Sequence, residues 1–397
     1  MNQTSSRQPA AAPPRRRLSW NDPGVRSLIY QAIALATVGF VAWYLVSNTL
    51  HNLSARNIST GFGFLEREAG FAIGETAIAY SPADTYGRAV IVGLLNTLRV
   101  AIVGIILATI LGTLIGIARL SKNWLVGKLS SIYIEVVRNV PLLLQLFFWY
   151  ALITENAAGP RDAANPLPGV FISNRGLTVP TLEGGALQWM LWGLGLALLA
   201  AILLGHWARK RQEATGRLFP VGRVSLGLFV LLPLLGWLVS GASLTLQMPE
   251  LRGFNFAGGM TLSPEFSALL AGLVIYTSAF VAEVVRSGIQ SVSNGQWEAA
   301  GSLGLRRNLV LRLVILPQAL RVIIPPMTSQ YLNLTKNSSL AVAIGYPDIV
   351  SVINTTLNQT GQAIEGVLII MAAYLTVSLS ISLFMNWYNK RIALVER

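Results

Sequence analysis

SNGQWEAAGSLGLRRNLVLRLVILP, residues Ser293 to Pro317, is a polar, charge-bearing turn of helix set between two long apolar runs. Apolar runs alone fit almost any membrane protein, so the interruption carries the information. Ser293 and Gln296 stand at capping-box spacing, which predicts a short helix starting here. Ala299 and Ala300 give that helix a slim face that another protein can approach closely. Gly304 has no Cβ, so it can end the helix with φ > 0 and turn the chain into a second one. Arg306, Arg307 and Arg312 then hold this end in the cytoplasm. An ordinary loop with a glycine cap explains any one of these features; the whole pattern reads as a docking element.

Composition places the rest of the chain in a bilayer. It is 53% hydrophobic and 12% charged, where a soluble domain carries about a quarter charged residues. Stretches free of Asp, Glu, Lys and Arg run over 27–55, 100–118, 139–154, 184–208, 224–249, 266–282, 322–335 and 366–389. A hydrocarbon core of about 30 Å needs about 20 apolar residues, so most of these are long enough to span. The shorter ones span by admitting flanking residues such as Arg138, Glu283 and Arg321. The expected fold is all-α: a polytopic membrane protein of about eight transmembrane helices.

The basic residues orient it. An N-terminus inside makes 1–26, 119–128, 209–223, 286–312 and 390–397 cytoplasmic, and these segments hold most of the 30 Lys and Arg. The opposite segments carry only Arg56, Arg67, Arg88, Arg161, Arg175 and Arg252, a strong positive-inside bias with both termini cytoplasmic. The +13 net charge therefore reports topology and contact with anionic membrane lipid. It does not report nucleic acid, whose binders gather basic residues on one soluble face. The tail at 1–26 reads as disordered and cytoplasmic, since its Arg15-Arg16-Arg17 run precedes an apolar stretch too long for a signal-peptide h-region.

Several chemistries are excluded by inventory. The chain has no cysteine and only His51 and His206, which this topology puts on opposite sides of the membrane, so no metal site is expected. No phosphate-cradling GxxxxGK[ST] occurs, so nucleotide hydrolysis belongs elsewhere, and no enzymatic activity or cofactor is expected in this chain. Glu135, Glu283 and Glu365 sit towards helix ends, with Glu135/Arg138 and Glu283/Arg286 spaced for ion pairs. An ion-gradient-coupled secondary carrier would bury acids at mid-membrane, and it stands as the alternative.

Residues 298–317 resemble the EAA loop of ABC-importer permeases, EAA-x3-G-x9-I-x-L-P, with Val314 in the place of the usual Ile. Gly93-Leu94-Leu95-Asn96-Thr97-Leu98, Tyr133 to Leu142, Tyr276 to Phe280 and Lys336 to Leu340 are similar, in order, to the histidine- and glutamine-type branch. The length and Phe62-Gly63-Phe64 resemble the longer general L-amino acid permease subunits. This resemblance implies a type I ABC importer permease core in a bacterial inner membrane. It implies a second permease subunit, copy or paralogue, and a dimer of ATP-binding cassette ATPases that carries ATP and Mg. A periplasmic amino-acid-binding protein would deliver the cargo. Glu298, Ala299, Ala300, Gly304 and Pro317 would then form the ATPase-coupling element.

On that reading the chain divides into a tail (1–26), an extra first helix (27–50) and an external loop (51–89). The first section of the permease core (90–153), an insertion with a helical hairpin (154–263) and the second section of the core (264–397) follow, with the coupling loop at 293–317. The external loop either joins two helices or docks a partner. Pro160, Pro166, Pro168 and Pro180 argue against helix at 154–183. The translocation path is expected at 317–345, where Pro317, Pro325 and Pro326 predict a kinked or broken helix. Gln330, Asn333, Lys336, Asn337 and Ser338 are its candidate substrate contacts, with Lys336 for a carboxylate. A polar helix end with a snorkelling Lys336 fits equally. Gln145 is a further candidate, and an interhelical hydrogen bond explains it as well.

Overall fold

The computed structural model describes residues 23–55, 60–182, 184–216, 219–241 and 246–392. The tail at 1–22 and the extreme C-terminus lie outside the described residues. Backbone amides have no water partner in lipid, so spanning segments must be helical, and long helices dominate the chain. The first, α1 (Pro23–Ala55), has no buried side chain among its described residues. A short 3-10 turn at Phe62–Glu66 opens the 61–85 segment, which runs into α2 (Tyr86–Arg119). Next come α3 (Trp124–Asn139) and α4 (Leu142–Ala151).

Strands β1 (Ala164–Leu167), β2 (Val170–Ser173), β3 (Gly176–Val179) and β4 (Thr181–Leu182) precede a hairpin of α5 (Gly184–Thr215) and α6 (Val221–Ser240). After it the chain returns through β5 (Leu246–Gln247), β6 (Glu250–Arg252), β7 (Asn255–Ala257) and β8 (Met260–Leu262). An antiparallel sheet in the order β1-β2-β3-β8 joins the two flanks of the hairpin, with Leu177 opposite Leu262. The prolines of 154–183 leave no regular α-helix there, as expected: a π turn at Leu152–Asn156 and a 3-10 turn at Pro160–Asp162 lead into short strands.

The last third contains α7 (Pro264–Gln290), α8 (Asn294–Ser302), α9 (Arg307–Val310), α10 (Leu316–Asn337), α11 (Ile349–Thr360) and α12 (Ala363–Ile392). Among the described residues, seven helical segments are long and apolar enough to cross a membrane, and a bent α3–α4 pair makes eight. The core is the α2–α7 pair. A Cβ on Gly116 would lie 2.6 Å from the Ala282 carbonyl, and one on Gly112 would lie 2.6 Å from Val281 Cβ. These glycines let the two backbones meet, which is how membrane helices associate without a hydrophobic drive between them.

Two expectations about helix breaks change places. α10 runs unbroken through Pro325 and Pro326. Its irregular turns lie at its ends instead: a π turn over Leu311–Ile315 ahead of Pro317, and a 3-10 turn over Ser338–Ile344. Pro317 has no N–H and crowds the carbonyl four residues back, so the ladder widens there. The break falls in the expected 139–154 span, where α3 and α4 bend by 102°. Val140 precedes Pro141 and is forced extended, at φ −95° and ψ 127°.

The basic turns gather at one end of the bundle. Leu120, Lys122, Asn294, Trp297 and Arg307 line one cavity, and Arg209, Phe219 and Trp387 line another. At the same end Arg119 of α2 and Arg286 both pair with Glu283 of α7. Arg99 lies twenty residues back along α2, about 30 Å at 1.5 Å per residue, so Arg119 and Arg99 mark the two faces of a hydrocarbon core.

Candidate functional site: a docking turn and a polar stripe

Two surfaces carry the candidate residues. The first is the turn after α7. Val292, Trp297, Ala300, Val310 and Ile315 seat it in an apolar cluster with Val281, Val285, Ala319 and Ile323. Glu298, Ala299, Gly304 and Leu303 are left facing outward, and Leu303 is 79% exposed. Gly304 has φ +70°, and Leu303 and Gly304 close the end of α8 by donating to Ala299 and Gly301 carbonyls.

The capping box does not form. Ser293 is the N-cap residue but its hydroxyl makes no cap bond, and Gln296 Oε1 instead accepts from Gln318 Nε2 of α10 at 3.3 Å. Gln318 also donates to the Val314 carbonyl at 3.0 Å. The docking turn is therefore tied by a side chain to the base of α10, a link that helix-start spacing could not reveal.

The second surface is a stripe on α10. Pro326, Ser329, Asn333 and Lys336 recur at helical spacing on one exposed face, with Gln330 and Asn337 half-buried at its edges. Among the described residues the side chains of Gln330, Asn333, Lys336 and Asn337 have no hydrogen-bond partner. Polar groups left facing lipid are costly, and Lys336, one residue from the end of α10, has a stem long enough to carry its charge towards the interface.

The other two path candidates are occupied. Ser338 is buried and donates to the Thr335 carbonyl at 2.7 Å. Gln145 Nε2 donates to the Val137 and Val140 carbonyls at 2.9 and 3.0 Å, which satisfies acceptors freed by the Pro141 break. These two bonds cap the bend between α3 and α4.

A further cluster emerges around Gly93–Leu98. A Cβ on Gly93 would lie 3.0 Å from Ile349 Cα. Asn96 Nδ2 donates to the Glu75 and Pro347 carbonyls at 2.8 and 2.9 Å, and Thr97 Oγ1 accepts from the Ile349 amide at 3.1 Å. The 346–349 turn is thus held against α2. Asp348 in that turn is fully buried, caps α11 by accepting from Ser351 at 2.9 Å, and meets Tyr374 of α12 at 3.5 Å. Burial pushes its carboxyl up to about 7 against the backbone amides that favour its charge. Asp348 has no helical-spacing partner in sequence, so nothing there singles it out.

The comparisons with known proteins cover nearly the whole chain. The family described as "Binding-protein-dependent transport system inner membrane component" matches residues 197–394. A putative amino-acid ABC transporter permease protein of Escherichia coli strain K12 is 53% identical over 96% of this chain and 97% of its own. A general L-amino acid transport system permease protein of Rhizobium johnstonii is 50% identical over 96% of both. A glutamate/glutamine/aspartate/asparagine permease protein of Rhodobacter capsulatus is 42% identical over 95% of this chain and 96% of its own. The chain belongs to this family of binding-protein-dependent permeases. It is a multi-span inner-membrane component of a transporter, and the relatives are matched over nearly their full length.

Proposed function

We propose that this permease is the membrane subunit of an ATP-driven importer of amino acids. It works with a second permease subunit, copy or paralogue, and with two ATPase subunits that hold ATP and Mg. A binding protein delivers the amino acid from outside. The observation that carries this reading is the α8 turn, seated by Trp297 and Ala300 and offering Glu298, Ala299 and Leu303 outward at the basic end. That end is cytoplasmic, with both termini on the same side, because lysine and arginine stay inside.

ATPase closure moves α8, and the Gln296–Gln318 contact and the shared apolar cluster pass the movement to α10. The α10 stripe then faces the path between the two permeases. Asn333 and Gln330 suit an α-ammonium or polar side chain, and Lys336 suits a carboxylate. The domain division read from sequence is kept: tail, extra helix, external loop, and a core in two sections parted by an insertion.

One observation favours the second reading, a gradient-driven carrier: Asp348 is a buried carboxyl able to hold a proton near neutrality. Its position as an α11 cap, beyond the end of the α10 span, accounts for it as a structural group. Uptake in vesicles with and without the ATPase separates the two. The importer loses uptake without the ATPase; the carrier keeps it and loses it to an ionophore.

A further inference from the structure

At the end opposite α8, Glu75 joins four segments of the chain that are far apart in sequence. Its Oε1 accepts from Arg99 Nη1 of α2 at 2.6 Å, and its Oε2 accepts from Ser263 Oγ at 2.6 Å. Ser263 is the N-cap of α7 and bonds the Phe266 amide at 3.0 Å. The Glu75 carbonyl accepts from Asn96, which also holds the Pro347 carbonyl of the 346–349 turn. Arg99 in turn lies over the Phe266 ring at 4.5 Å. Both ion-pair partners are mostly buried. A pair with three charge-assisted or ring contacts is well above an exposed surface salt bridge in strength.

The segment that carries Glu75 is itself folded. Ala69 and Gly70 amides donate to Asp84 and Pro82 carbonyls, and Arg88 Nε donates to the Ala79 carbonyl at 3.0 Å. Its start is tied to α12, where the Gly61 amide donates to Glu365 at 2.7 Å. The 61–85 segment is therefore a built surface whose anchor is the head of α7. The foot of α7 leads within four residues into α8. Between head and foot α7 is pressed on α2 at Gly112 and Gly116, so the α2–α7 pair is a stiff rod with the Glu75 network at one end and the docking turn at the other.

We propose that Glu75 is a positioning residue for transport, which makes the outward-facing 61–85 surface rigidly continuous with the α2–α7 rod. Contact of a loaded binding protein with that surface is thereby felt at α8. This rests on the importer reading above. Without the anchor, the rod and the docking turn remain intact but no longer report the outer face.

The test uses the complete transporter in nanodiscs and compares basal ATPase with ATPase stimulated by the loaded binding protein. Glu75→Gln is expected to keep basal hydrolysis within about twofold of the parent, the scatter of independent sites. It is expected to lower the stimulation by about fivefold or more, the lower edge of ordinary coupling. The charge exchange Glu75→Arg with Arg99→Glu is expected to recover some of the stimulation. Full stimulation in Glu75→Gln overturns the proposal. So does a parallel loss of basal rate, stimulated rate and melting temperature that Glu75→Asp fails to relieve, since that marks a merely structural pair. A parent complex with no ATPase at all overturns the importer reading, and this proposal with it.

Discussion

Gly116 of α2 lies against Ala282 of α7 with no room for a Cβ between the two backbones, the added atom meeting the Ala282 carbonyl at 2.6 Å. Replacing Gly116 by Val must part the helices. The expected cost is about 1–3 kcal/mol of overpacking, read as a lower melting temperature of the detergent- or nanodisc-held protein. Val at Gly295, where nothing lies within 4 Å, should not show that packing penalty.

Gly304 poses the opposite case. No atom lies within 4 Å of a Cβ built there, but its φ of +70° strains any β-branched residue. Gly304→Ile should leave the bundle folded and shift the α8 turn. Transport should fall by about tenfold, the factor that ~1.4 kcal/mol commands in a rate. Uptake counted in vesicles, beside an unchanged melting temperature, checks it; full uptake would refute the docking role of the turn.

The short helix and turn of the 293–317 stretch are legible in the sequence because polar and small residues stand out there against apolar neighbours. Positions such as Ala299, Gly304 and Pro317 announce themselves by size and backbone. Span count is legible for the same reason, since bilayer thickness sets helix length. The α3–α4 bend is not: from sequence Pro141 reads as a residue within a span, while the two prolines of α10 read as a break. Prolines midway along a packed helix can be held by neighbouring helices, whereas Pro141 forces Val140 extended with Gln145 ready to cap the result. The Glu75–Arg99 anchor is invisible in sequence because its partners are separated by 24 and 188 residues, and only the fold brings them together.

Gln145 gives a direct check on the bend. Gln145→Leu keeps the volume and removes both bonds to the Val137 and Val140 carbonyls. The expected cost is about 1–3 kcal/mol of stability, with the order of preference among competing amino acids unchanged. A changed preference in competition uptake would place Gln145 on the substrate path.

Asp348 predicts a pH dependence. An unfolded carboxyl ionises near 3.8, while the folded one keeps its proton up to about 7. The native state then binds more protons between those values. This contribution is full below the lower value and declines as pH rises towards the upper one, by up to about 1.4 kcal/mol per unit. Asn caps a helix as well as Asp does. Asp348→Asn should therefore flatten the melting profile between about pH 4 and about pH 7 and melt above the parent once pH exceeds the folded value. A variant whose profile still slopes like the parent's would assign the dependence to another group.

The central claim is that this permease takes its energy from a separate ATPase at the α8 turn. Purification of the tagged chain in mild detergent, followed by an ATPase assay with binding protein and amino acid, tests it directly. The predicted result is a co-purifying ATPase whose hydrolysis rises when the loaded binding protein is added. A chain that purifies alone, with uptake that survives without ATPase and collapses with an ionophore, would contradict it.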